Sequence, residues 1–384
     1  MMKIVVDRQL LESIQPWVDS SVEWLTLDDY DRNPGSHTVD GFILRSVTKV
    51  NESSYPTWVD VPPSFVLTAT AGFDHLDIVW LESLGVQWRH CPGANARAVA
   101  EYVVAALLWM TQGDFKGSLG IVGVGATGQA VEKLALDLGW QVVPYDPPRE
   151  RHEAYLEANT VDSDRFISAS LEELMKCDAV TFHVPRVETG QDPTYPLWGQ
   201  AELFASNASW IIQASRGGII EEGALCDWAT KGGKLACDVW DGEPLVNQPL
   251  LKASTIATPH IAGYSYQARS KAITQVLGHL TSFGIPFTNT PISEGESCIP
   301  KVDHYSTSRE LVEILHPWMG HAEPFKKELL DAYSIQGDRV RQKEVFRQWR
   351  TQTPLRAEFS EWMVRASDHK TFPWLTPLGV QITR

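Results

Sequence analysis

Short apolar runs rich in β-branched residues alternate with helix-forming stretches over most of the chain, and this alternation constrains the fold more than any other feature. Four runs come before residue 100 and six after it, at residues 4–6, 41–46, 65–70, 86–91, 118–123, 141–146, 178–185, 209–215, 234–240 and 255–260. Strands that alternate with helices are typical of a mostly parallel sheet covered by helices. The two series predict two α/β units, which the helix-forming stretches 94–110 and 266–283 would join as hinges.

The glycine-rich sequence GVGATG follows the first apolar run of the second series. It fits the pattern G-x-G-x-x-G and opens a stretch with apolar residues at helical spacing, which is the context that a dinucleotide site requires. Gly123 would permit a tight turn, Gly125 would let the backbone approach a pyrophosphate, and Gly128 would let helix and strand pack closely. Ala126 and Thr127 would present backbone N–H groups to the phosphates at the start of the helix.

An acidic residue, Asp146, ends the next predicted strand, about twenty residues after the first glycine of the motif. At that position a carboxylate can accept hydrogen bonds from both ribose hydroxyls and disfavours the 2′-phosphate of NADP. The expected cofactor is therefore NAD. A glycine turn that binds no ligand is the alternative.

The composition changes beyond residue 290, where basic side chains slightly outnumber acidic ones, whereas the rest of the chain is strongly acidic. We therefore predict an α/β fold with two Rossmann-like or flavodoxin-like parallel-sheet domains joined by hinge helices, plus a small C-terminal α+β domain. The predicted domains comprise residues 1–95 with 266–288, residues 96–265, and residues 289–384.

Charge and cysteine content limit the possible partners and sites. The formal net charge of −15 argues against nucleic acid or an anionic membrane as a partner and leaves small molecules. The longest apolar stretch, 98–110, contains Glu101 and is predicted to be a buried helix rather than a membrane span. Five cysteines without a CxxC pair favour a reducing cytoplasm, and no histidine spacing predicts a metal site.

Three polar residues follow later predicted strands: Arg216, Glu243 and His260. A guanidinium offers paired donors to a substrate carboxylate, and an imidazole held by a carboxylate can exchange a proton with a hydroxyl while hydride leaves the neighbouring carbon. Each residue alone is more often structural than catalytic. Together, after a dinucleotide motif, they predict the oxidation of a hydroxy acid.

The segments that carry these three residues resemble the D-2-hydroxyacid dehydrogenases. They are residues 211–225, 237–244 and 258–264, and the likeness extends over residues 3–285. Further segments are similar to family members whose substrate is a phosphorylated hydroxy acid, at residues 45–51, 68–77, 145–149 and 260–264. Residues 346–359 are similar to a C-terminal dimerisation domain of such members, which implies a homodimer. The resemblance makes residues 1–95 with 266–288 the substrate-binding domain and residues 96–265 the NAD-binding domain.

The resemblance also implies a role for each matching residue. Arg216 would bind the carboxylate, Glu243 would orient His260, and His260 would act as the general acid or base. The implied cofactor contacts are Asp238, Gly263, Val184, Ala214 and Ser215, and the implied substrate contacts are Ser46, Thr70 and Tyr264. Val184 and Phe73 depart from the family pattern, the first because it lacks a hydroxyl that related sequences can offer to the cofactor.

A phosphorylated substrate needs further basic donors. Arg45 and Lys49 flank Ser46 and are the candidates, with solvated loop charges as the alternative. Other functions also remain open at this point: a dehydrogenase of another D-2-hydroxy acid such as 3-phosphoglycerate, a non-catalytic NAD-responsive protein similar to corepressors of this fold, or a scaffold with a vestigial nucleotide site.

Overall fold

The computed structural model describes residues 1–18, 20–32, 38–157, 165–287, 305, 307–334, 338–365 and 371–383. The chain divides into two units, Met1–Asn95 with Gln267–Glu296, and Ala96–Tyr266 with Ser297–Arg384. The expected boundary between residues 288 and 289 lies outside the described residues, and the division into three domains stays a prediction. Among the described residues, no helix is both long and apolar enough to cross a membrane.

The first unit is built on a five-stranded sheet in which every neighbouring pair is parallel, in the order β2-β1-β3-β4-β5. Its strands are β1 Met2–Val6, β2 Val22–Thr26, β3 Gly41–Leu44, β4 Phe65–Thr68 and β5 Gln87–Arg89. Its helices are α1 Arg8–Ile14, α2 Leu27–Arg32, α3 Ile78–Ser83 and, later in the chain, α11 Tyr266–Ser282, with short 3-10 turns at Gln15–Trp17 and Pro56–Val59.

Both faces of this sheet are covered by apolar side chains. Ile4 and Val6 of β1 face a cluster that includes Ile273 of α11, whereas Val5 faces a cluster with Phe42 and Trp58 on the other side. Such burial on both faces is typical of parallel strands and explains their continuous apolar runs. The prediction of a parallel α/β unit is confirmed.

The second unit contains a six-stranded parallel sheet in the order β11-β10-β9-β8-β6-β7. Its strands are β6 Ser118–Val122, β7 Gln141–Tyr145, β8 Ala179–Phe182, β9 Trp210–Gln213, β10 Lys234–Cys237 and β11 Ile256–Ala257. Its helices up to residue 265 are α4 Ala96–Met110, α5 Ala126–Asp137, α6 Pro147–Glu157, α7 Leu171–Met175, α8 Gln200–Ala205, α9 Glu222–Thr230 and α10 Gln248–Ala253. The strand order reverses at β6, where β7 lies on one side and β8 on the other. In open sheets of this kind, ligands bind outside the carboxyl ends of the strands at that point.

The C-terminal part of the chain supplies helices α12 Ser308–Leu315, α13 Trp318–Ser334 and α14 Arg339–Gln352, a 3-10 turn at Phe359–Glu361, and two short parallel strands, β12 Met363–Arg365 and β13 Gln381–Thr383. These elements share the hydrophobic cores of the second unit. Trp318 packs in the cluster that contains α4 and α5, and Phe346 packs in the cluster that contains β8, β9 and β10. The C-terminal helices therefore help to cover the six-stranded sheet.

Helix α4 is the buried helix that the sequence predicts, and twelve of its residues are buried. Its Glu101 is fully buried and forms ion pairs with Arg97 at 2.7 Å and with Arg356 at 2.6 Å. Arg356 also donates to the carbonyl oxygen of Ala98 at 2.8 Å. Because a buried carboxylate is tolerated only when it is paired and hydrogen-bonded, these contacts fix the segment around Arg356 against α4.

Candidate active site

The glycine motif forms the turn between β6 and α5. Gly123 has a φ of +86°, and a Cβ atom there would lie 2.7 Å from Cγ1 of Val184. A Cβ atom on Gly128 would overlap the carbonyl oxygen of Gly123, because helix and strand approach so closely. Gly125, the N-cap of α5, faces open space. Two of the glycines are therefore required by packing, and the third leaves room beside the helix N-terminus.

The first turn of α5 is suited to a phosphate. Ala126 begins the helix and is exposed, and Thr127 follows it and is half-buried. First-turn N–H groups have no acceptor within an α-helix, and the helix dipole favours an anion at this end. The open space at Gly125 lies at the same end. This arrangement fits the pyrophosphate of a dinucleotide.

The carboxylate of Asp146 lies beside this turn. Its Oδ2 accepts a hydrogen bond from the backbone N–H of Val124 at 2.8 Å, and its Oδ1 accepts one from that of Arg149 at 3.0 Å. The guanidinium of Arg149 is engaged with the carbonyl oxygen of Val124 at 2.7 Å and with Glu153 at 2.6 Å. Sequence reasoning did not identify Arg149. Because its charge is matched by Glu153, the site favours a ribose diol over a 2′-phosphate.

Two residues follow β8 directly opposite the glycine turn. His183 donates its backbone N–H to the carbonyl oxygen of Val122 at 2.7 Å, and its Nε2 lies 3.0 Å from Oγ1 of Thr181. Burial lowers the pKa of the His183 ring to about 3, so that the ring is neutral near pH 7. Val184 lies against Gly123. A cofactor contact at Val184 stays a prediction.

The loop that carries Arg216 is fixed by its own hydrogen bonds. Beyond the end of β9, Oγ of Ser215 donates to Oε1 of Gln213 at 2.9 Å, and Nε2 of Gln213 donates to the carbonyl oxygen of Arg216 at 3.1 Å. Nη1 of Arg216 donates to the carbonyl oxygen of Ser215 at 2.8 Å. Ala214 lies between the strand and this turn. The guanidinium is thus held close to the end of the strand.

Two glycines bring the Arg216 loop against neighbouring loops. A Cβ atom on Gly217 would overlap the backbone of Trp240, and one on Gly218 would overlap the ring of Tyr195. The hydroxyl of Tyr195 donates to Asp241 at 2.6 Å. The Arg216 loop therefore packs directly on the segment that leads from β10 to Glu243.

Asp238 is a buried anchor for the loop that carries His260. Its Oδ1 accepts hydrogen bonds from Oγ1 of Thr258 at 2.6 Å and from the N–H of Ile261 at 2.8 Å, and its Oδ2 accepts one from the N–H of Ala262 at 2.9 Å. The backbone N–H of His260 donates to the carbonyl oxygen of Asp238 at 2.8 Å. These bonds hold His260 at a φ of +58°. The expected cofactor contact of Asp238 stays a prediction.

Glu243 and His260 are joined by a short hydrogen bond between Oε1 and Nδ1. Burial alone would raise the pKa of Glu243, but the charge and hydrogen bond of His260, together with the charge of Arg350, hold this pKa below its ordinary value. Because Nδ1 is bound to the carboxylate, Nε2 is the ring nitrogen left for a substrate. This is the carboxylate-held imidazole that the sequence predicts.

The C-terminal helices hold the loops on either side of this pair. Nε of Arg350 donates to the hydroxyl oxygen of Tyr264 at 3.2 Å. The hydroxyl of Tyr333 accepts from the N–H of Val246 at 3.0 Å and donates to the carbonyl oxygen of the same residue. Gly263, an expected cofactor contact, lies half-buried next to Tyr264. Sequence reasoning missed Arg350 and Tyr333, because nothing in the chain near them points to loops so far away in sequence.

The remaining candidates lie in the first unit. Arg45 and Ser46 follow β3, and Nε of Arg45 lies 2.9 Å from the carboxylate of buried Asp7. Ser46 and Lys49 are exposed. Oγ1 of Thr70 donates to the carbonyl oxygen of Gly72 at 2.7 Å. Arg45 is therefore not a solvated loop charge, and its role toward a substrate stays a prediction, as do those of Ser46, Lys49 and Thr70.

Comparison with known proteins agrees with this geometry. Residues 90–262 match the family model described as D-isomer specific 2-hydroxyacid dehydrogenase, NAD binding domain. This part of the chain is therefore similar to the NAD-binding domain of that family. It contains the glycine turn, Asp146, Arg216 and the pair of Glu243 and His260.

The curated relatives are more specific. The chain is 40% identical over 245 residues to the erythronate-4-phosphate dehydrogenase of Proteus mirabilis, covering 62% of each chain. It is 36% identical over 253 residues to the enzyme of the same name from Pseudomonas syringae pv. syringae, covering 64% of this chain and 63% of the relative. The aligned region thus spans less than two thirds of the length of these relatives.

Solved structures share the fold. A 3-phosphoglycerate dehydrogenase from Entamoeba histolytica with bound NAD⁺ is 20% identical, with a TM-score of 0.58, and covers 74% of this chain and 95% of its own. A D-2-hydroxyisocaproate dehydrogenase is also 20% identical, with a TM-score of 0.58, and covers 73% of this chain and 96% of its own. At this identity the likeness concerns the fold alone.

Proposed function

We propose that the chain is an NAD-dependent dehydrogenase that oxidises 4-phospho-D-erythronate to 2-oxo-3-hydroxy-4-phosphobutanoate. The observation that carries this proposal is the hydrogen-bonded pair of Glu243 and His260, on loops that pack with the Arg216 loop in an NAD-binding domain. The names of the curated relatives support this choice of substrate.

The residues around the glycine turn fit a bound dinucleotide. Gly123, Gly125, Ala126, Thr127 and Gly128 would hold its pyrophosphate, because they combine a close turn, open space and free first-turn N–H groups. Asp146 would bind its adenosine ribose. Val184, Ala214, Ser215, Asp238 and Gly263 are the proposed contacts to the rest of the cofactor. When bound, NAD supplies the acceptor for the hydride that leaves C2 of the substrate.

Arg216, His260 and Glu243 would then perform the remaining tasks. The guanidinium of Arg216 would bind the substrate carboxylate and fix C2 in place. Nε2 of His260 would take the proton of the C2 hydroxyl as the carbonyl forms. Glu243 keeps Nδ1 as the protonated nitrogen and stabilises the imidazolium that results. In the reverse direction the same imidazolium would return the proton.

The proposal extends to the substrate contacts, the assembly and the location of the protein. The small phosphorylated hydroxy acid is proposed to be bound by Ser46, Thr70 and Tyr264. Arg45 and Lys49 are the basic residues proposed to donate hydrogen bonds to its phosphate. The C-terminal domain is proposed to form a homodimer, and the chain is proposed to work in the reducing cytoplasm. The substrate contacts and the homodimer are supported by the resemblance of the corresponding segments. The cytoplasmic location is supported by the five cysteines, which contain no CxxC pair.

Activity is tested with purified protein by following the absorbance of NADH. We expect NADH to form from NAD and 4-phospho-D-erythronate, and to be consumed with the corresponding oxo acid. His260→Asn should abolish turnover, whereas His152→Asn, which changes an exposed histidine, should leave it unchanged. Absence of turnover in both directions with the wild-type protein would refute the assignment.

The same experiment separates the alternatives. Turnover of 3-phosphoglycerate or another D-2-hydroxy acid, without turnover of 4-phospho-D-erythronate, would keep the chemistry and change the substrate. Binding of NAD measured by calorimetry, with no turnover of any hydroxy acid, would favour an NAD-responsive binding protein. Absence of NAD binding would favour a scaffold with a vestigial site.

A further inference from the structure

Arg350 brings a positive charge from the C-terminal part of the chain to the candidate active site. It lies near the end of α14, is half-buried, and donates from Nε to the hydroxyl oxygen of Tyr264. The chain beyond α14 then runs beside residues 265 and 266. There, Oγ of Ser265 donates to Glu358 at 2.8 Å, and the N–H of Tyr266 donates to the carbonyl oxygen of Arg356 at 3.0 Å.

Among the described residues, no ion pair neutralises this guanidinium. Within the described ranges, no carboxylate oxygen lies within 4.0 Å of Arg350, and Tyr264 is its one hydrogen-bond acceptor. Guanidinium carries five N–H donors, so most of them remain available. Burial acts to lower the pKa of Arg350, but Tyr264 and the negative charges of Glu243 and Asp238 together raise it above its ordinary value. Through Tyr264, the cation lies beside the loop that carries His260, and among the described residues it forms no ion pair with Glu243 or Asp238.

A phosphorylated hydroxy acid needs such a cation. The substrate carries a carboxylate and a phosphate, and Asp238 and Glu243 would repel both groups. Arg216 would serve the carboxylate, and the charge of Arg45 is partnered by Asp7 in the first unit. A partly desolvated arginine with unused donors is the side chain best suited to bind phosphate oxygens in pairs.

We propose that Arg350 binds the phosphate group of the substrate, and that the C-terminal helix α14 thereby determines the specificity for a phosphorylated acid. The proposal rests on the proposed function. It assigns to the C-terminal part of the chain a direct contact with substrate, in addition to its contribution to the hydrophobic cores.

The test compares Arg350→Gln with Arg347→Gln, which removes the same charge from an exposed position one turn earlier on α14. The readout is kcat/KM for 4-phospho-D-erythronate and for unphosphorylated D-erythronate. Because charged hydrogen bonds are strong, Arg350→Gln should lower the first value about 30-fold or more and the second less than about 3-fold. Arg347→Gln should change neither. Equal losses for both acids would overturn the proposal, since Arg350 would then act only by holding Tyr264 and Glu243.

A second measurement keeps this test independent of the proposed function. Inorganic phosphate is titrated into the NAD-loaded wild-type protein and into both variants by calorimetry. Loss of phosphate binding in Arg350→Gln alone supports the proposal, even if the wild-type protein oxidises neither acid and the proposed function fails. Phosphate binding that is absent in the wild type, or equal in all three proteins, overturns it. If Arg350→Gln does not fold, Arg350→Lys replaces it and should bind phosphate more weakly than wild type, because the paired donors are lost.

Discussion

Replacing Gly125 and Gly128 one at a time with alanine should separate cofactor binding from folding. At Gly128 the new methyl group would come about 1 Å or more closer to the carbonyl oxygen of Gly123 than an ordinary C···O approach. Because that oxygen belongs to the backbone, α5 must shift away from β6, at an expected cost of about 1–3 kcal/mol. The higher helix propensity of alanine relative to glycine offsets about 1 kcal/mol of this cost. We expect Gly128→Ala to lower the free energy of unfolding by up to about 2 kcal/mol and to lower the Tm accordingly.

Gly125→Ala is the matched substitution three residues earlier. Its methyl group meets no protein atom within 4 Å, and its φ of −72° suits alanine, so that the free energy of unfolding should change by less than about 1 kcal/mol. The methyl group would instead fill the space proposed for the pyrophosphate. If it disrupts one charged hydrogen bond there, the Kd for NAD should rise roughly tenfold or more.

Thermal denaturation and titration of NAD, followed by tryptophan fluorescence, measure the two effects. Wild-type affinity for NAD in Gly125→Ala would refute the placement of the pyrophosphate. A Gly128→Ala variant that is more thermally stable than the wild type would refute the argument from the close approach of α5 and β6.

Two further substitutions test the proposed roles of Glu243 and His260 and the packing of the first unit. Glu243→Gln should lower kcat/KM roughly 100-fold because the imidazolium of His260 loses its anionic partner. The pKa of Glu243 lies below its ordinary value of 4.5, so its stabilising effect is complete above that pH and is lost as the pH falls through the lower value. The difference in unfolding free energy between wild type and Glu243→Gln should therefore close in acid, and a constant difference would contradict the electrostatic argument. Arg45→Ala should lower the free energy of unfolding by about 1–2 kcal/mol, because the buried carboxylate of Asp7 loses its cation and keeps the hydrogen bond from the N–H of Gln9. Lys49→Ala should leave the stability unchanged, and equal stability of the two variants in urea would count against this reasoning.

The sheets could be predicted from sequence because parallel strands buried on both faces appear as continuous apolar runs. Strand β2 was missed: it pairs only with β1, and only Val22 among its five residues is buried, so no such run marks it. The runs also continue past the ends of the strands. β4 ends at Thr68 and β9 at Gln213, and the residues just beyond them carry polar groups of the candidate site. Apolar side chains on a loop pack as well as those on a strand. The position where the backbone hydrogen bonds of a strand end therefore cannot be predicted from the run of apolar residues.

The candidate site was predictable where its residues lie at the carboxyl ends of consecutive strands. Glu243 and His260 are of this kind, and the structure joins them as expected. Asp238 was predicted only as a cofactor contact, because its three hydrogen bonds go to a loop whose course the sequence does not define. Arg350 was missed for a different reason. Its contact with Tyr264 spans 86 positions along the chain, and only tertiary packing brings such residues together.

The hydrogen bonds between Tyr333 and the backbone of Val246 join positions that are 87 residues apart in sequence. They affect which substitutions in the C-terminal helices the chain tolerates. A substitution on α13 that removes these hydrogen bonds should change turnover by moving the loop of Val246, although α13 contacts no reacting atom. Screens for altered activity should therefore recover substitutions on α13 as well as around His260.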